Sequence, residues 1–448
     1  MKKILIANRG EIAIRIIKAC KELNIETVAV YSEADKESLH IMLADESYQI
    51  GKAQPAESYL HMNNIIELAK LTRCDAIHPG YGFLAENIMF RKLCEKEQIK
   101  FIGPSLENLI CMGDKLKAKE IAKRIDIPVV PGIDDLIKSS KELENIVEKT
   151  GFPIILKSSS GGGGKGIKVC YTKKEAIKQF SIIKNETKLS FGEDGVYLEK
   201  YIPKFKHIEV QILSDMYGNC IHLGERICSI QRNMQKLIEE SPAPLLPPKL
   251  REEMCQAAVR LGKEIKYVGL GTVEFIYDYE NEKYYFMEMN TRIQVEHPVT
   301  EMIYNIDLVK EQIKVAREER LELTQDDVNY HGSAIECRIN AENPDMHFSP
   351  SVGEIELFIP PYGSPNIRVD TFIYSGYKVL PYYDSMLGKV IVLGENRMDA
   401  IRKMKVALST TKIEGVHTTI SFLQKLIMED KFIDGSYDNL FVEEFMHK

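Results

Sequence analysis

"SSSGGGGKGIKV", residues 158–169, decides the fold at the centre of the chain. Gly161, Gly163 and Gly166 satisfy G-x-G-x-x-G, and Lys165 invites comparison with a P-loop. Phosphate loops of both kinds run from a strand into a helix whose N-terminus faces the phosphates. Here "IILK" precedes the glycines and "IKVCY" follows them, with Ile167, Val169 and Tyr171 at alternate positions, which is strand periodicity. Gly166 stands where a Walker A loop has the Ser or Thr that reaches magnesium. The reading is strand–glycines–strand. Such a hairpin tip either folds its bare amides over an anion or is a plain surface hairpin.

Downstream, "TVEFIYDYENEKYYFMEMN" (272–290) reads as two strands flanking a turn at Glu280–Asn281. With residue 281 as midpoint, Glu274 faces Glu288, since each is seven residues away. Opposed like charges destabilise a sheet. Either a divalent cation turns the repulsion into coordination, with carboxylate oxygens suited to Mg²⁺ or Mn²⁺, or both acids sit solvated on an exposed face. Asn290 shares the face of Glu288 by period two and offers another oxygen. Arg292, Gln294 and Glu296 follow at alternate positions, which in an extended chain places an anion-binding cation beside a base. His297, before Pro298, reads as structural.

The N-terminal part alternates strand and helix signals. "KILIAN" and "TVAVYS" flank a helix with Ile12, Ile16, Ala19 and Leu23 on one face, and the strands "CDAIHPGYGF" and "IKFIGPS" break into Gly/Pro loops. This predicts a small doubly wound, Rossmann-like sheet. Its first turn, "ANRGE", lacks a dinucleotide fingerprint. "MGDKLKAKEIAKRIDIPVVPG" gives a helix stopped by Pro128, and further helices are expected around 249–265 and 307–320. Beyond about residue 331 the pattern is mainly β, closed by helices around 398–408 and 417–429.

Composition narrows the function. The 448 residues are 44% hydrophobic and 28% charged, an ordinary globular composition with room for two or three cores. Fifty-nine Lys and Arg against 66 Asp and Glu give a net charge of −7, which argues against a nucleic-acid surface. The nine cysteines include no C-x-x-C pair and read as reduced thiols. Arg9, Glu11 and Arg15 interrupt the apolar N-terminus, so neither a signal peptide nor a membrane span is expected, and the protein is expected to be cytoplasmic.

Taken together, "NRGEIAIRI", "HPGYGFLAEN", "FIGPS", "MGDK", "SSGGGGKGIKV", "CSIQRNMQK", "GTVEF", "MEMNTRIQVEHPVTE", "ECRINAE" and "YYDSMLGK" resemble, in order and over nearly the whole chain, the biotin carboxylases of the ATP-grasp superfamily. The resemblance implies an α/β and α+β multidomain fold. Residues 1–113 correspond to the Rossmann-like N-terminal domain and 114–330 to the ATP-grasp domain, with a glycine-rich lid at about 131–203. Residues 331–448 correspond to a mainly β C-terminal domain.

It also implies ATP-dependent carboxylation of biotin by bicarbonate through carboxyphosphate. ATP would be held by Lys115, Lys157, Gly162, Gly163, Gly164, Gly166, Glu199, Lys200, Ile202, His207, Gln231 and Ile276, with Glu274 and Glu288. Two Mg²⁺ or Mn²⁺ ions would sit on Glu274, Glu288 and Asn290; Lys236, Arg292, Gln294 and the Val295 backbone would hold bicarbonate. Glu296 is the implied base, Arg338 the stabiliser of the biotin oxyanion, and Tyr81 a biotin contact. Alternation in "SAIECRIN" puts Glu336 and Arg338 on the face opposite Ile335, Cys337 and Ile339, so Arg338 is expected to be exposed.

The chain departs from the family's common "QRRHQK" at Asn233 and Met234, and Ser160 replaces a frequent glycine. The Ala-Met-Lys-Met context of a biotin carrier is absent. The implied partners are therefore a separate biotin carboxyl carrier protein and carboxyltransferase subunits. A homodimer is implied too, although the family's dimer contacts match poorly around "PPYGSPNIR". The implied pathway is acetyl-CoA carboxylation for fatty acid synthesis. A pyruvate, propionyl-CoA or other acyl-CoA carboxylase is the alternative, ahead of another ATP-grasp ligase or a non-catalytic nucleotide-binding regulator.

Overall fold

The computed structural model describes residues 1–133, 135–159, 166–191 and 195–448, the side chains of 187–191 excepted. Gly162, Gly163 and Gly164 of the expected ATP contacts lie outside the described residues. Among those residues no helix is long and apolar enough to cross a membrane.

Strands β1 (Lys3–Ile6), β2 (Glu26–Ser32), β3 (Glu46–Gly51), β4 (Ala76–His78) and β5 (Lys100–Phe101) form a parallel sheet in the order β3-β2-β1-β4-β5. Helix Gly10–Glu22 packs on it through Ile12, Ile16 and Ala19, as its 3.6-residue pattern requires. The helix expected from "MGDKLKAKEIAKRIDIPVVPG" is Lys115–Arg124, and Met112 and Gly113 instead end a separate helix, Leu106–Gly113. Asp114 breaks the run by capping Lys115–Arg124, accepting from the amides of Leu116 and Lys117.

Around the glycine stretch, β6 (Ile154–Ser158), β7 (Ile167–Cys170) and β8 (Val196–Lys200) form an antiparallel sheet in the order β7-β6-β8. Lys157 pairs with Ile167, so the glycines do join two strands of one hairpin. With helices Ser140–Thr150 and Lys173–Phe191 this unit encloses its own core, which includes Leu143, Ile154, Leu156, Ala176 and Leu198.

The site is positioned by one eight-stranded antiparallel sheet. Its strands β9 (Lys206–Ser214), β10 (Cys220–Arg232), β11 (Gln235–Ser241), β12 (Gly269–Asp278), β13 (Lys283–Asn290) and β14 (Ser333–Asn340) run β13-β12-β9-β10-β11-β14, and strands Met386–Gly394 and Ile367–Thr371 complete the edge. The sheet therefore continues across residue 331, because β14 hydrogen-bonds to β11. Alternation along a strand marks its faces and says nothing about which strand it joins. One face buries Ile208, Val210, Ile212, Ile238 and Cys337 against helices Pro248–Glu264 and Arg397–Thr410. The other face carries the polar residues and is closed in part by helix His297–Tyr304.

Candidate active site

The strand register writes a row of charges across the polar face. Glu288 pairs with Glu274, Glu274 with Glu209, and Glu209 with Arg226 on four adjacent strands. The Glu274–Glu288 pairing has an unexpected cause. Asp278 pairs with Lys283, which centres the turn between residues 280 and 281 and on its own would oppose Glu274 to Met287. A bulge between Phe275 and Glu274 inserts Met287 and moves Glu288 into place. A second bulge does the same for Lys236: Gln231 pairs with Lys236 but Ile230 pairs with Ile238. Leu237 and Ile238 then both enter the core, and Lys236 turns to the polar face.

Lys236 is the hub. Its ammonium contacts Glu209, lies 2.5 Å from Glu296 Oε1 and 3.7 Å from Glu274 Oε1. Arg338 donates through Nε to Glu239 (2.7 Å) and through Nη2 to Glu296 Oε2 (2.9 Å). His207 Nε2 lies 3.0 Å from Glu274, and the Gln231 amide lies 2.8 Å from His207 Nδ1. Asn290 and Gln294 donate to Glu274 Oε1 at 2.6 and 2.9 Å, and Arg292 donates to Asn290 Oδ1 (2.8 Å) and Glu86 (2.9 Å).

Burial raises the proton affinity of these acids, and the neighbouring charges then sort them. Lys236, Arg338 and Arg226 overcome burial at Glu296 and hold its carboxyl well below the usual range. Lys236 and His207 do the same for Glu274. Glu209 has Glu296 and Glu274 beside it, and burial pushes it up to about 7 despite Lys236. Burial disfavours the charged form of His207, yet Glu274 raises its pKa above the ordinary value.

Among the described residues, two sets have donor atoms that all lie within 4.8 Å of one another: His207, Glu209 and Glu274, and Glu209, Cys228 and Glu296. Glu274 is thus a member of a compact donor set, while Glu288, more open, instead meets Lys115 at 3.4 Å. The oxygen-rich row Glu288–Glu274–Glu209 fits a hard divalent cation.

Three family models match in sequence: "Biotin carboxylase, N-terminal domain" at residues 1–109, "Carbamoyl-phosphate synthase L chain, ATP binding domain" at 114–324, and "Biotin carboxylase C-terminal domain" at 336–444. Biotin carboxylase 1 of Bacillus subtilis is 55% identical over 445 residues, covering 99% of both chains. The chain belongs to the biotin carboxylase family. It thereby has the ATP-grasp fold and belongs with ATP-dependent carboxylating ligases. A pyruvate carboxylase subunit of Methanothermobacter thermautotrophicus is 49% identical over 99% of this chain and 90% of its own. The biotin carboxylase domain dimer of Hydrogenobacter thermophilus 2-oxoglutarate carboxylase, solved with MgADP, ADP and bicarbonate, superposes with a TM-score of 0.96 at 48% identity, over 100% of this chain and 98% of that one.

Within this biotin carboxylase fold, the residues expected at the site fall into linked groups. His207, Gln231, Lys236, Glu274, Asn290, Arg292, Gln294, Glu296 and Arg338 make one network. Lys115 joins Glu288, and Lys157 joins Glu199 (2.6 Å), which also contacts Lys119. Lys200 donates to the Phe152 carbonyl, Ile202 follows β8, and Ile276 pairs with His207 in the ladder. Gly166 adopts φ +74 and accepts from the Ser158 amide. Val295 offers its carbonyl to Lys389 (2.7 Å), and Tyr81 donates to Glu11 (2.5 Å).

Two expectations are corrected. Residues 292–296 are not extended: β13 ends at Asn290 and the chain turns into helix His297–Tyr304. Pro298 at the head of that helix favours the turn. Arg338 is not on an exposed face, since helix His297–Tyr304 packs against β14 and its side chain is 14% accessible. His297, expected to be structural, is buried with its Nδ1 2.7 Å from the Gln294 carbonyl.

Sequence reasoning missed Glu209, Arg226, Glu239, Lys389 and Glu86. "HIEVQI" carries a usable signal, since His207, Glu209 and Gln211 alternate with apolar residues. Such alternation ordinarily marks a solvated face, and here all three are buried.

Proposed function

We propose that the chain carboxylates biotin on a separate carrier protein in the cytoplasm, using bicarbonate and ATP, as the first half-reaction of acetyl-CoA carboxylase. The observation that carries this reading is the convergence of Lys236 and Arg338 on Glu296, with Lys236 also 3.7 Å from Glu274, the ladder partner of Glu288. Lys115 and Lys157 would meet the phosphates, Glu199, Lys200, Ile202 and Ile276 the adenine side, with His207 and Gln231 nearby. Glu274, Glu288 and Asn290 would hold Mg²⁺ or Mn²⁺, which neutralises charge on the transferring phosphoryl group.

Bicarbonate would take the place of part of Glu296's present company, held by Lys236, Arg292, Gln294 and the Val295 backbone. Sharing Lys236 with the anion weakens its hold on Glu296, and the carboxylate regains proton affinity at the moment a base is needed. Glu296 then accepts the bicarbonate proton as the bicarbonate oxygen bonds to the γ-phosphorus and ADP leaves. Carboxyphosphate breaks to CO₂ and phosphate. Phosphate takes the ureido proton of biotin, Arg338 steadies the resulting oxyanion, and the nitrogen bonds to CO₂. Tyr81 would flank biotin.

A second reading keeps this chemistry but supplies a pyruvate or other carboxylase; the 49%-identical relative from pyruvate carboxylase supports it. A homodimer is proposed by analogy with the Hydrogenobacter domain dimer.

ATP cleavage is to be measured with and without bicarbonate and free biotin. Turnover independent of both refutes the reading. Arg338→Ala is expected to abolish carboxybiotin formation while retaining some bicarbonate-dependent ATP cleavage; loss of ATP binding would refute the role given to Arg338. Recovery of the biotinylated protein that binds this chain distinguishes the pathways.

A further inference from the structure

Glu239 on β11 and Glu336 on β14 are direct ladder partners, so their side chains leave the same face, with Cβ atoms about 5 Å apart in pairs of this kind. Both residues are fully enclosed. Glu239 Oε1 accepts from Arg338 (2.7 Å), but Glu239 Oε2 and both oxygens of Glu336 have no hydrogen-bond partner. Three orphaned oxygens call for hydrogen-bond donors, and two acids opposed in an interior call for a proton or a cation between them.

The surrounding charges supply no cation. Arg338, on Glu336's own strand beside Cys337, is committed to Glu239 and Glu296. Lys389, opposite Arg338 on strand Met386–Gly394, is committed to the Val295 carbonyl and to Glu11 at 3.0 Å. Lys236 lies among Glu209, Glu296 and Glu274. From the other packed elements come Glu296 and His297 at the helix head and Tyr81 with Glu11 from the N-terminal region. Burial pushes the Glu336 carboxyl well above the usual range against the pull of Lys389, and Glu239 is raised as well.

We propose that Glu336 carries a proton and donates it to Glu239 Oε2, so that the two glutamates form one singly charged acid pair that fixes Arg338. A single proton satisfies two of the three orphaned oxygens and leaves one negative charge for the guanidinium. Arg338 then keeps Nε and Nη2 clamped, and its Nη1, unpartnered among the described residues, is the group left to meet an oxyanion. Glu336 touches no substrate and is a positioning residue. Its consequence for catalysis rests on the biotin carboxylase reading; its protonation does not.

The test has two arms. An infrared difference spectrum of ligand-free protein, wild type minus Glu336→Gln at neutral pH, is expected to show a carboxylic-acid carbonyl band that moves in D₂O; no such band overturns the proposal. Should Glu336→Gln fail to fold, Glu239→Gln is the second variant. Exchanging the carboxylate acceptor for an amide is expected to shift the band, and an unshifted band overturns the pairing. In the kinetic arm, the amide of Glu336→Gln replaces the O–H donor, so carboxybiotin formation is expected to stay within about threefold of wild type, while Glu336→Ala loses about tenfold or more in kcat. KM for ATP is expected to be unchanged in both. Equal losses in the two variants overturn the donor role. Bicarbonate-dependent ATP cleavage on the same preparations reports separately on the biotin carboxylase reading.

Discussion

Arg226→Met tests whether the buried row is held together by one guanidinium. Arg226 has no accessible surface and donates to Gln211 (2.9 Å) and Thr300 (3.0 Å) through Nη1, and to Gln294 (2.6 Å), Thr272 (3.2 Å) and Glu209 (3.3 Å) through Nη2. Methionine fills much of the volume and supplies no donor. Removing one partner of a buried ion pair costs about 3–5 kcal/mol. The abandoned carbonyl oxygens of Gln211 and Gln294 each carry a penalty of about 1–3 kcal/mol, which overlaps with the first because the sheet relaxes around one cavity.

A loss of about 4 kcal/mol in unfolding free energy is expected, and about half of it for Arg226→Lys, which keeps the charge but gives up at least two of the five bonds. The chain has no tryptophan, so denaturant unfolding is followed by circular dichroism or by its 21 tyrosines. Gln294 loses its anchor in the same variant, so under the bicarbonate-holding role proposed for it KM for bicarbonate is expected to rise by about tenfold with KM for ATP little changed. An Arg226→Met protein within about 0.5 kcal/mol of wild type, the range of surface substitutions, and with an unaltered bicarbonate KM would refute the reasoning.

Glu209 gives a pH dependence. Its folded pKa of about 7 stands above its ordinary value of 4.5, so between those values the folded chain binds a proton that the unfolded chain has released. The associated stability is present in full below about pH 4.5 and falls as pH rises to about 7, by at most about 1.4 kcal/mol per pH unit; Glu209→Gln is expected to flatten that slope in urea midpoints taken across the window. At Gly224, φ is +61 and an added Cβ would lie 2.0 Å from the Tyr304 hydroxyl oxygen. Gly224→Ala is expected to lower stability by about 1–3 kcal/mol, and adding Tyr304→Phe to recover part of it in thermal melts; no change in Tm would refute the contact.

Legibility differed from residue to residue for physical reasons. The strand periodicity after the glycines was readable because side chains alternate within one strand whatever surrounds it, and it excluded both helix-based phosphate loops before any fold was known. The pairing of Glu274 with Glu288 was readable from symmetry about the turn, but the bulge at Met287 produces it. Arg292, Gln294 and Glu296 do meet in one network, but not through the extended geometry expected of them. Period two placed them on one side of a strand, whereas a turn into a helix sends Gln294 and Glu296 to Glu274 and Lys236. Lys236 was singled out by the family motifs alone, whereas alternation in "SAIECRIN" already set Glu336 and Arg338 on one face of a strand.

By itself the sequence determined the alternation of elements, the parallel N-terminal sheet, the glycine hairpin and the family, since each depends on residues close in the chain or on motifs in a fixed order. Only the tertiary structure decided that Glu209 stands between Glu274 and Arg226, that Glu239 opposes Glu336, and that β14 extends the central sheet. Those are facts of strand neighbourhood and register between segments up to about a hundred residues apart in the chain. They also reverse the usual meaning of an alternating polar strand. A charged residue on a sheet face is solvated by default, and burial under a helix and against other charges is what turns Glu209, Glu239 and Glu336 from surface acids into groups whose protonation matters.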